Sequence, residues 1–150
     1  MQTGFRLHAD ASHLVFNMFG LVMFGRELER ALGRLRVFEL YASSVVCGAL
    51  VQILVMYVLH STPYPTIGAS AGVFGVLIAY AMLFPDRRIV LLFPPIPMPV
   101  WPFATGYGVI ELVLGISGQE PGVAHFAHLG GMAAAIALVI SWARRAHEPS

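Results

Sequence analysis

Four polar residues lie within apolar runs of the sequence and could together carry out acyl transfer. Ser70 begins one run, His128 lies near the start of a later one, and His13 and Asn17 lie in an earlier one. A serine hydroxyl becomes a nucleophile when a neutral histidine removes its proton, and the developing oxyanion needs hydrogen-bond donors. These residue types therefore predict Ser70 as nucleophile, His128 as general base, and His13 and Asn17 as oxyanion donors.

Each of these residues also has a structural explanation. His13 and Asn17, at positions i and i+4, share one helix face and could form hydrogen bonds between helices. Ser70 could simply belong to a close helix contact, because the residues around it are small: Gly68, Ala69, Ala71, Gly72 and Gly75. Taken one by one, the residues leave both explanations open.

The runs that carry these residues are of membrane-spanning length. The 150 residues are 57% hydrophobic and 11% charged, against about 25% charged in soluble proteins, and the mean hydropathy is +0.74. We expect an all-α, polytopic membrane helix bundle that forms a single domain over residues 1–150. About five transmembrane helices are predicted, over residues 11–24, 40–59, 67–84, 100–116 and 122–142. Residues 89–99 contain four prolines, which exclude a continuous helix and predict a loop at the membrane interface.

The arginines indicate how the spans are oriented. All nine basic residues are arginine, and the clusters follow spans one, three and five: Arg26, Arg30, Arg34 and Arg36; Arg87 and Arg88; Arg144 and Arg145. The positive-inside rule makes that face cytoplasmic, so these three spans start at the outer face. The four polar residues then share the outer third of the membrane, which favours one common site. Because membrane spans separate the arginines, no nucleic-acid partner is expected.

Three further residues refine the prediction. Phe74, one turn after Ser70, is expected to pack on the imidazole of His128. Asp10, just outside the first span, is the one carboxylate placed near the site, so a Ser–His dyad is expected rather than a triad. Glu111, in the fourth span, could be a proton relay, but a protonated structural group is preferred because no basic residue is near it in sequence.

Other classes of function have weaker support. His125 and His128 lie three residues apart, but the His-Glu-x-x-His motif of zinc proteases is missing, so no metal or other cofactor is expected and His125 is interpreted as lining the cavity. Asp10 and Asp86 lie outside the spans, which excludes an aspartyl protease. A transporter or channel would place polar residues across the full membrane depth, whereas most of these lie in the outer part.

Three ordered motifs resemble those of the rhomboid intramembrane serine proteases: His13-x-x-x-Asn17, Gly68-Ala69-Ser70 and Ala127-His128-Leu129-Gly130-Gly131. Residues 24–29 and 92–97 are also similar to bacterial rhomboids. The resemblance implies an endopeptidase with the roles given above, with Gly68, Phe74 and Gly131 packing around the site. It implies transmembrane protein substrates cut near the outer face, in a bacterial inner membrane with the C-terminus in the cytoplasm. It leaves the oligomeric state open.

The sequence departs from the family pattern in three places. Ala71 stands where the family commonly has glycine, and Ala135 stands where glycine is frequent. The resemblance also implies that the chain begins just before the second of six core spans, without the first span and its long outer loop. Ala71 and the missing first span support an alternative function, a rhomboid-like protein that binds transmembrane clients without cleaving them.

Overall fold

The computed structural model describes residues 3–60, 69–90, 95–118 and 124–147, with side chains described between residues 14 and 146 of those ranges. Five helices account for most of this chain: α1 Thr3–Leu32, α2 Arg34–Val58, α3 Ala69–Leu83, α4 Val100–Ser117 and α5 His125–His147. By length and composition, α2, α4 and α5 can cross a membrane, and α3 is a shorter apolar helix. The predicted all-α polytopic membrane bundle is confirmed.

The predicted spans differ from the helices mainly at their polar ends. Helix α1 begins at Thr3 and ends at Leu32, whereas its apolar run covers 11–24. Gly33, with φ of 83°, then reverses the chain, and α2 starts at Arg34 rather than near residue 40. Arginine, glutamate and leucine favour helix in water as well as in lipid. Apolar run length therefore marks the membrane-crossing part of a helix and not its full extent.

The proline-rich segment after α3 is not only a loop. Strand β1, Arg88–Val90, pairs antiparallel with strand β2, Pro97–Pro99, and Arg88 lies opposite Pro99. Proline can occupy such an edge because one side of the strand needs no N–H donors. The N–H of Val100 donates to the carbonyl oxygen of Arg87 at 2.9 Å, which joins this pair to the start of α4. The described residues of this segment, 89–90 and 95–99, contain no helix, as expected, whereas the paired strands were not predicted.

Helix α3 lies at the centre of the bundle and packs against the other four helices. Its closest contacts depend on glycines, some in α3 itself and some in the neighbouring helices. A Cβ on Gly131 of α5 would overlap the backbone of Ala71, and a Cβ on Gly75 would overlap Ser44 of α2. Residues without side chains allow backbones to approach this closely. Helices α2, α3 and α5 consequently form a tight unit.

The outer surfaces of α1, α2 and α4 are apolar. Phe16, Leu50 and Ile116 are 65%, 61% and 73% exposed, and many neighbouring large side chains are similar. An apolar surface of this extent would be unfavourable in water and matches the hydrocarbon core of a bilayer. The bundle therefore presents its apolar surface to lipid.

Contacts at the helix termini distinguish the two ends of the bundle. Arg87, after α3, pairs with Glu27 near the end of α1 at 2.9 Å. The guanidinium of Arg36, near the start of α2, lies 5.6 Å from the ring centre of Trp142, near the end of α5. We call this the arginine end. The opposite end, where α3 and α5 begin, is called the serine end, and the helices alternate in direction as the sequence predicts.

Candidate active site

Ser70 is buried at the serine end of the bundle. It is the second residue of α3 and only 3% exposed. The positive end of the helix dipole lies at this position, and it favours negative charge developing nearby. The small residues around Ser70 leave room for α5 to approach, as its sequence context predicts.

His128 of α5 lies against the serine hydroxyl. Ser70 Oγ and His128 Nε2 are 2.8 Å apart, which is hydrogen-bond distance between two buried side chains. Gly131, about one helical turn after His128 on α5, lies against the backbone of Ala71, the residue that follows Ser70 on α3. This close backbone contact sets the separation of α3 and α5, and so positions the hydroxyl and the imidazole.

The imidazole of His128 is held between an aromatic ring and a carboxylate. Phe74 stacks on it with ring centres 4.3 Å apart and an interplanar angle of 22°. Tyr107 of α4 lies beside Phe74, with ring centres 5.8 Å apart. The stacked ring restricts rotation of the imidazole, so that its nitrogens keep their directions.

Glu111 of α4 supplies the carboxylate. Its Oε2 lies 2.8 Å from Nδ1 of His128 and 2.8 Å from Nδ1 of His125. A carboxylate accepts hydrogen bonds, so Nδ1–H of His128 donates to Glu111 and Nε2 keeps its lone pair toward the hydroxyl of Ser70. This is the tautomer that a general base needs.

The expected depth of Glu111 was wrong. The sequence predicts no carboxylate at the depth of Ser70 and has no basic residue near Glu111 along the chain, yet Glu111 contacts two imidazoles of α5. Helix α4 starts at the arginine end, so Glu111, in its last two turns, reaches the serine end. Counting depth back from the end of the fourth span would have found this contact, because neighbouring spans run in opposite directions.

The other predicted site residues are only partly described. Asn17 lies half-buried in α1, and its side chain makes no hydrogen bond with another described residue. His13 belongs to the backbone of α1, but its side chain lies outside the description, and so does Gly68. The oxyanion donors and the packing role of Gly68 therefore stay predictions.

Ala71, the departure next to the serine, points into a helix contact. It is fully buried, and a Cβ added to Gly48 of α2 or to Gly131 of α5 would crowd its methyl group. The methyl group therefore lies between α2 and α5, in space left by two glycines.

A serine, a histidine and a glutamate joined by hydrogen bonds are the residue types of a serine-hydrolase site. Here they lie inside an apolar helical bundle, which defines an integral membrane protein with a buried polar site. The family model described as Rhomboid domain matches residues 2–145. The chain belongs to the rhomboid family.

Several curated proteins are similar to the chain. It is 35% identical over 95 residues to Rhomboid protein 1, mitochondrial, of Saccharomyces cerevisiae, covering 63% of this chain and 28% of that protein. It is 30% identical over 140 residues to Rhomboid protease AarA of Providencia stuartii, covering 83% of this chain and 49% of that protein. It is 29% identical over 152 residues to RHOMBOID-like protein 12, mitochondrial, of Arabidopsis thaliana, covering 91% of this chain and 43% of that protein. The chain thus spans less than half the length of each of these relatives. No solved structure matches it.

Proposed function

We propose that the chain is an intramembrane serine endopeptidase. The observation that carries this proposal is the buried 2.8 Å contact between Ser70 Oγ and His128 Nε2, in a chain of the rhomboid family. A buried serine needs only one partner to be satisfied, and a structural role would not require the histidine to be oriented as a base. The stacked ring of Phe74 and the carboxylate of Glu111 both favour that orientation.

The proposed reaction follows from the chain of contacts that runs from Ser70 through His128 to Glu111. Oγ of Ser70 attacks the carbonyl carbon of the substrate while Nε2 of His128 takes the hydroxyl proton. The carbon–nitrogen bond then breaks, and His128 gives this proton to the leaving amine. Water repeats the sequence on the acyl-enzyme, which releases the carboxylic acid and restores Ser70. Glu111 is a positioning residue, because its described polar contacts are with the imidazoles of His125 and His128, and it stabilises the ring of His128 when that ring is protonated.

The oxyanion donors proposed from the sequence are His13 and Asn17. A Cβ on Gly20 of α1 would lie 3.1 Å from Val73 of α3, so the two helices are close at this level. Asn17 lies about one turn from Gly20 toward the serine end. It is thus on the part of α1 nearest to Ser70 along the bundle axis, which supports a role as donor.

The proposed substrates are transmembrane proteins, cut near the membrane boundary at the serine end. A buried site within a lipid-facing bundle is reached most directly by chains that already lie in the bilayer. A relative named as a protease, AarA, supports hydrolysis rather than transport. We propose a bacterial inner membrane with the arginine end and the C-terminus in the cytoplasm. Relatives named mitochondrial make the corresponding organelle membrane the alternative location.

Labelling with a fluorophosphonate tests this proposal, because the reagent phosphonylates an activated serine and displaces fluoride. We expect the purified full chain in detergent to be labelled on Ser70, as located by mass spectrometry, and Ser70→Ala to be unlabelled. Ser117→Ala is the matched control, since Ser117 is exposed and bonds only within its own helix, to the carbonyl oxygen of Leu114.

A well-folded wild-type chain that takes no label would contradict hydrolysis. The result would instead favour the alternative function, a rhomboid-like protein that binds transmembrane clients. Ala71 in place of the family's common glycine is the observation that keeps this alternative open. The packing of its methyl group between Gly48 and Gly131, in the contact of α2 with α5, favours the protease.

A further inference from the structure

The polar cluster behind Ser70 has a composition that serine hydrolysis does not require. It consists of Glu111 on α4 and His125 and His128 on α5, and all three residues are less than 10% exposed. One ligand atom from each lies within 4.8 Å of those from the other two. His125 makes no contact with Ser70 among the described hydrogen bonds, so the proposed reaction gives it no direct role.

We infer that this cluster, which we call the Glu–His–His cluster, binds a divalent transition-metal ion such as Zn²⁺, and that the bound ion switches the site off. The inhibitory part rests on the proposed function, whereas the binding part does not. Two imidazole nitrogens and one carboxylate oxygen are a known ligand set for zinc, with water as the fourth ligand. Mg²⁺ and Ca²⁺ prefer oxygen ligands and are not expected to bind.

The geometry is close to that of a metal site. Tetrahedral zinc with bonds of about 2.0–2.1 Å holds its ligand atoms about 3.3 Å apart. In the structure, Oε2 of Glu111 lies 2.8 Å from Nδ1 of each histidine. An ion would thus separate these atoms by about half an ångström as it replaces the two bridging protons. The ligand atoms of the two histidines, which lie within 4.8 Å of each other, would also approach by up to about 1.5 Å, and rotations of the three side chains would complete the site.

Metal binding also changes where the imidazole protons lie. When Nδ1 of a neutral histidine binds the ion, its proton is lost from that nitrogen and Nε2 takes one up, so the imidazole stays neutral. Nε2 of His125 is buried and has no hydrogen-bond partner among the described residues, so it has a lone pair for that proton. Nε2 of His128 would then donate to Oγ of Ser70, at the 2.8 Å contact already present.

This change of tautomer is the basis of the inhibition. With a proton on Nε2, His128 cannot accept one from Ser70, so the hydroxyl is not activated. The ion would also engage Glu111, which otherwise holds His128 in the opposite tautomer. Serine and histidine therefore stay in contact but in the inactive protonation state, and removing the ion restores the active one.

Direct binding is measured first, with Co²⁺ as the probe. Tetrahedral Co²⁺ absorbs visible light strongly, and we expect metal-free full-length protein in detergent to develop this absorption up to one equivalent and to lose it on addition of Zn²⁺. His125→Gln is expected to weaken binding at least tenfold. His60→Asn is the matched control, because His60 is exposed and its φ of 48° suits asparagine. A wild-type chain without the one-equivalent absorption overturns the metal site, whatever the variants do.

Inhibition is measured by fluorophosphonate labelling at increasing Zn²⁺ concentrations. We expect labelling to fall, to recover with EDTA, and to be unaffected by Mg²⁺. In His125→Gln the half-inhibiting Zn²⁺ concentration should rise at least tenfold when each protein is scaled to its own metal-free rate. Metal binding without an effect on labelling overturns the inhibitory role. A chain that binds Co²⁺ but is never labelled retains the metal site and loses the proposed function.

Discussion

The two ends of the bundle each hold a carboxylate that contacts side chains beyond its own helix, but in opposite environments. At the arginine end, Glu27 accepts a hydrogen bond from the hydroxyl of Tyr80 and pairs with Arg87, whose side chain is 61% exposed. At the serine end, Glu111 contacts two histidines, and its side chain is only 9% exposed. Glu27 pairs with a guanidinium near water, whereas Glu111 contacts two imidazoles in the interior.

This difference separates a structural role from a chemical one. Exposed ion pairs contribute little to stability, so substituting one partner costs the protein little. A buried carboxylate is costly and persists in membrane proteins mainly where function uses it. Substitutions at the serine end should therefore change the reaction more than the stability, and substitutions at the arginine end should change neither by much.

Replacing Glu111 with glutamine should give the largest effect. The amide of Glu111→Gln can donate to Nδ1 of His128 and so leave the proton on Nε2, the tautomer that cannot act as a base. We expect kcat for a transmembrane substrate to fall by about 10²- to 10⁴-fold while KM changes little. The control is Glu29→Gln, an exposed glutamate of α1. A rise in KM with unchanged kcat would assign Glu111 to substrate binding instead.

Adding a methyl group to Gly131 should be an exception to this pattern. The residue lies near the serine end, yet its substitution should lower the stability because it acts through packing. A Cβ at this position overlaps the backbone of Ala71, so α3 and α5 must separate. We expect Gly131→Ala to lower the free energy of unfolding by about 1–3 kcal/mol, measured by denaturant titration in detergent. Gly106→Ala is the matched control, since nothing lies within 4 Å of its added Cβ. Equal stability of the two variants would show that the contact is not tight.

Substituting Glu27 should give the smallest effect and sharpen the contrast between the ends. Glu27→Gln removes the charge that Arg87 pairs with but keeps an acceptor for the hydroxyl of Tyr80. We expect a loss of stability below about 1 kcal/mol and an unchanged rate of fluorophosphonate labelling. Thermal unfolding and labelling, measured beside Glu29→Gln, check this. Labelling that fell tenfold or more would mean that the arginine end influences the site.

The helices could be predicted from the sequence because apolar runs of membrane-spanning length leave few alternatives. Their termini could not, since the charged residues on either side of Gly33 continue helical structure beyond the apolar part. The pairing of β1 with β2 was also missed, because prolines argue against strands in general and only the structure shows an edge that tolerates them.

The site was predictable where one residue type implied another. A serine and a histidine at equal depth suggested their contact, and the aromatic residue one turn after the serine suggested the stacked ring. Glu111 was missed because its partners are distant in sequence and come from an adjacent helix of opposite direction. Depth within the membrane, rather than distance along the chain, decides which polar side chains meet.

The three helices that carry the site are packed into the bundle to different extents. Ser70 and His128 belong to helices joined by glycine contacts, whereas Glu111 belongs to α4, in which only Val100, Ala104 and Glu111 are buried. A sideways displacement of α4, as when a guest helix enters from the lipid beside it, would withdraw the carboxylate and leave the hydroxyl and imidazole in place. The occupancy of one lipid-facing flank would thereby decide whether Nδ1 of His128 keeps its carboxylate partner.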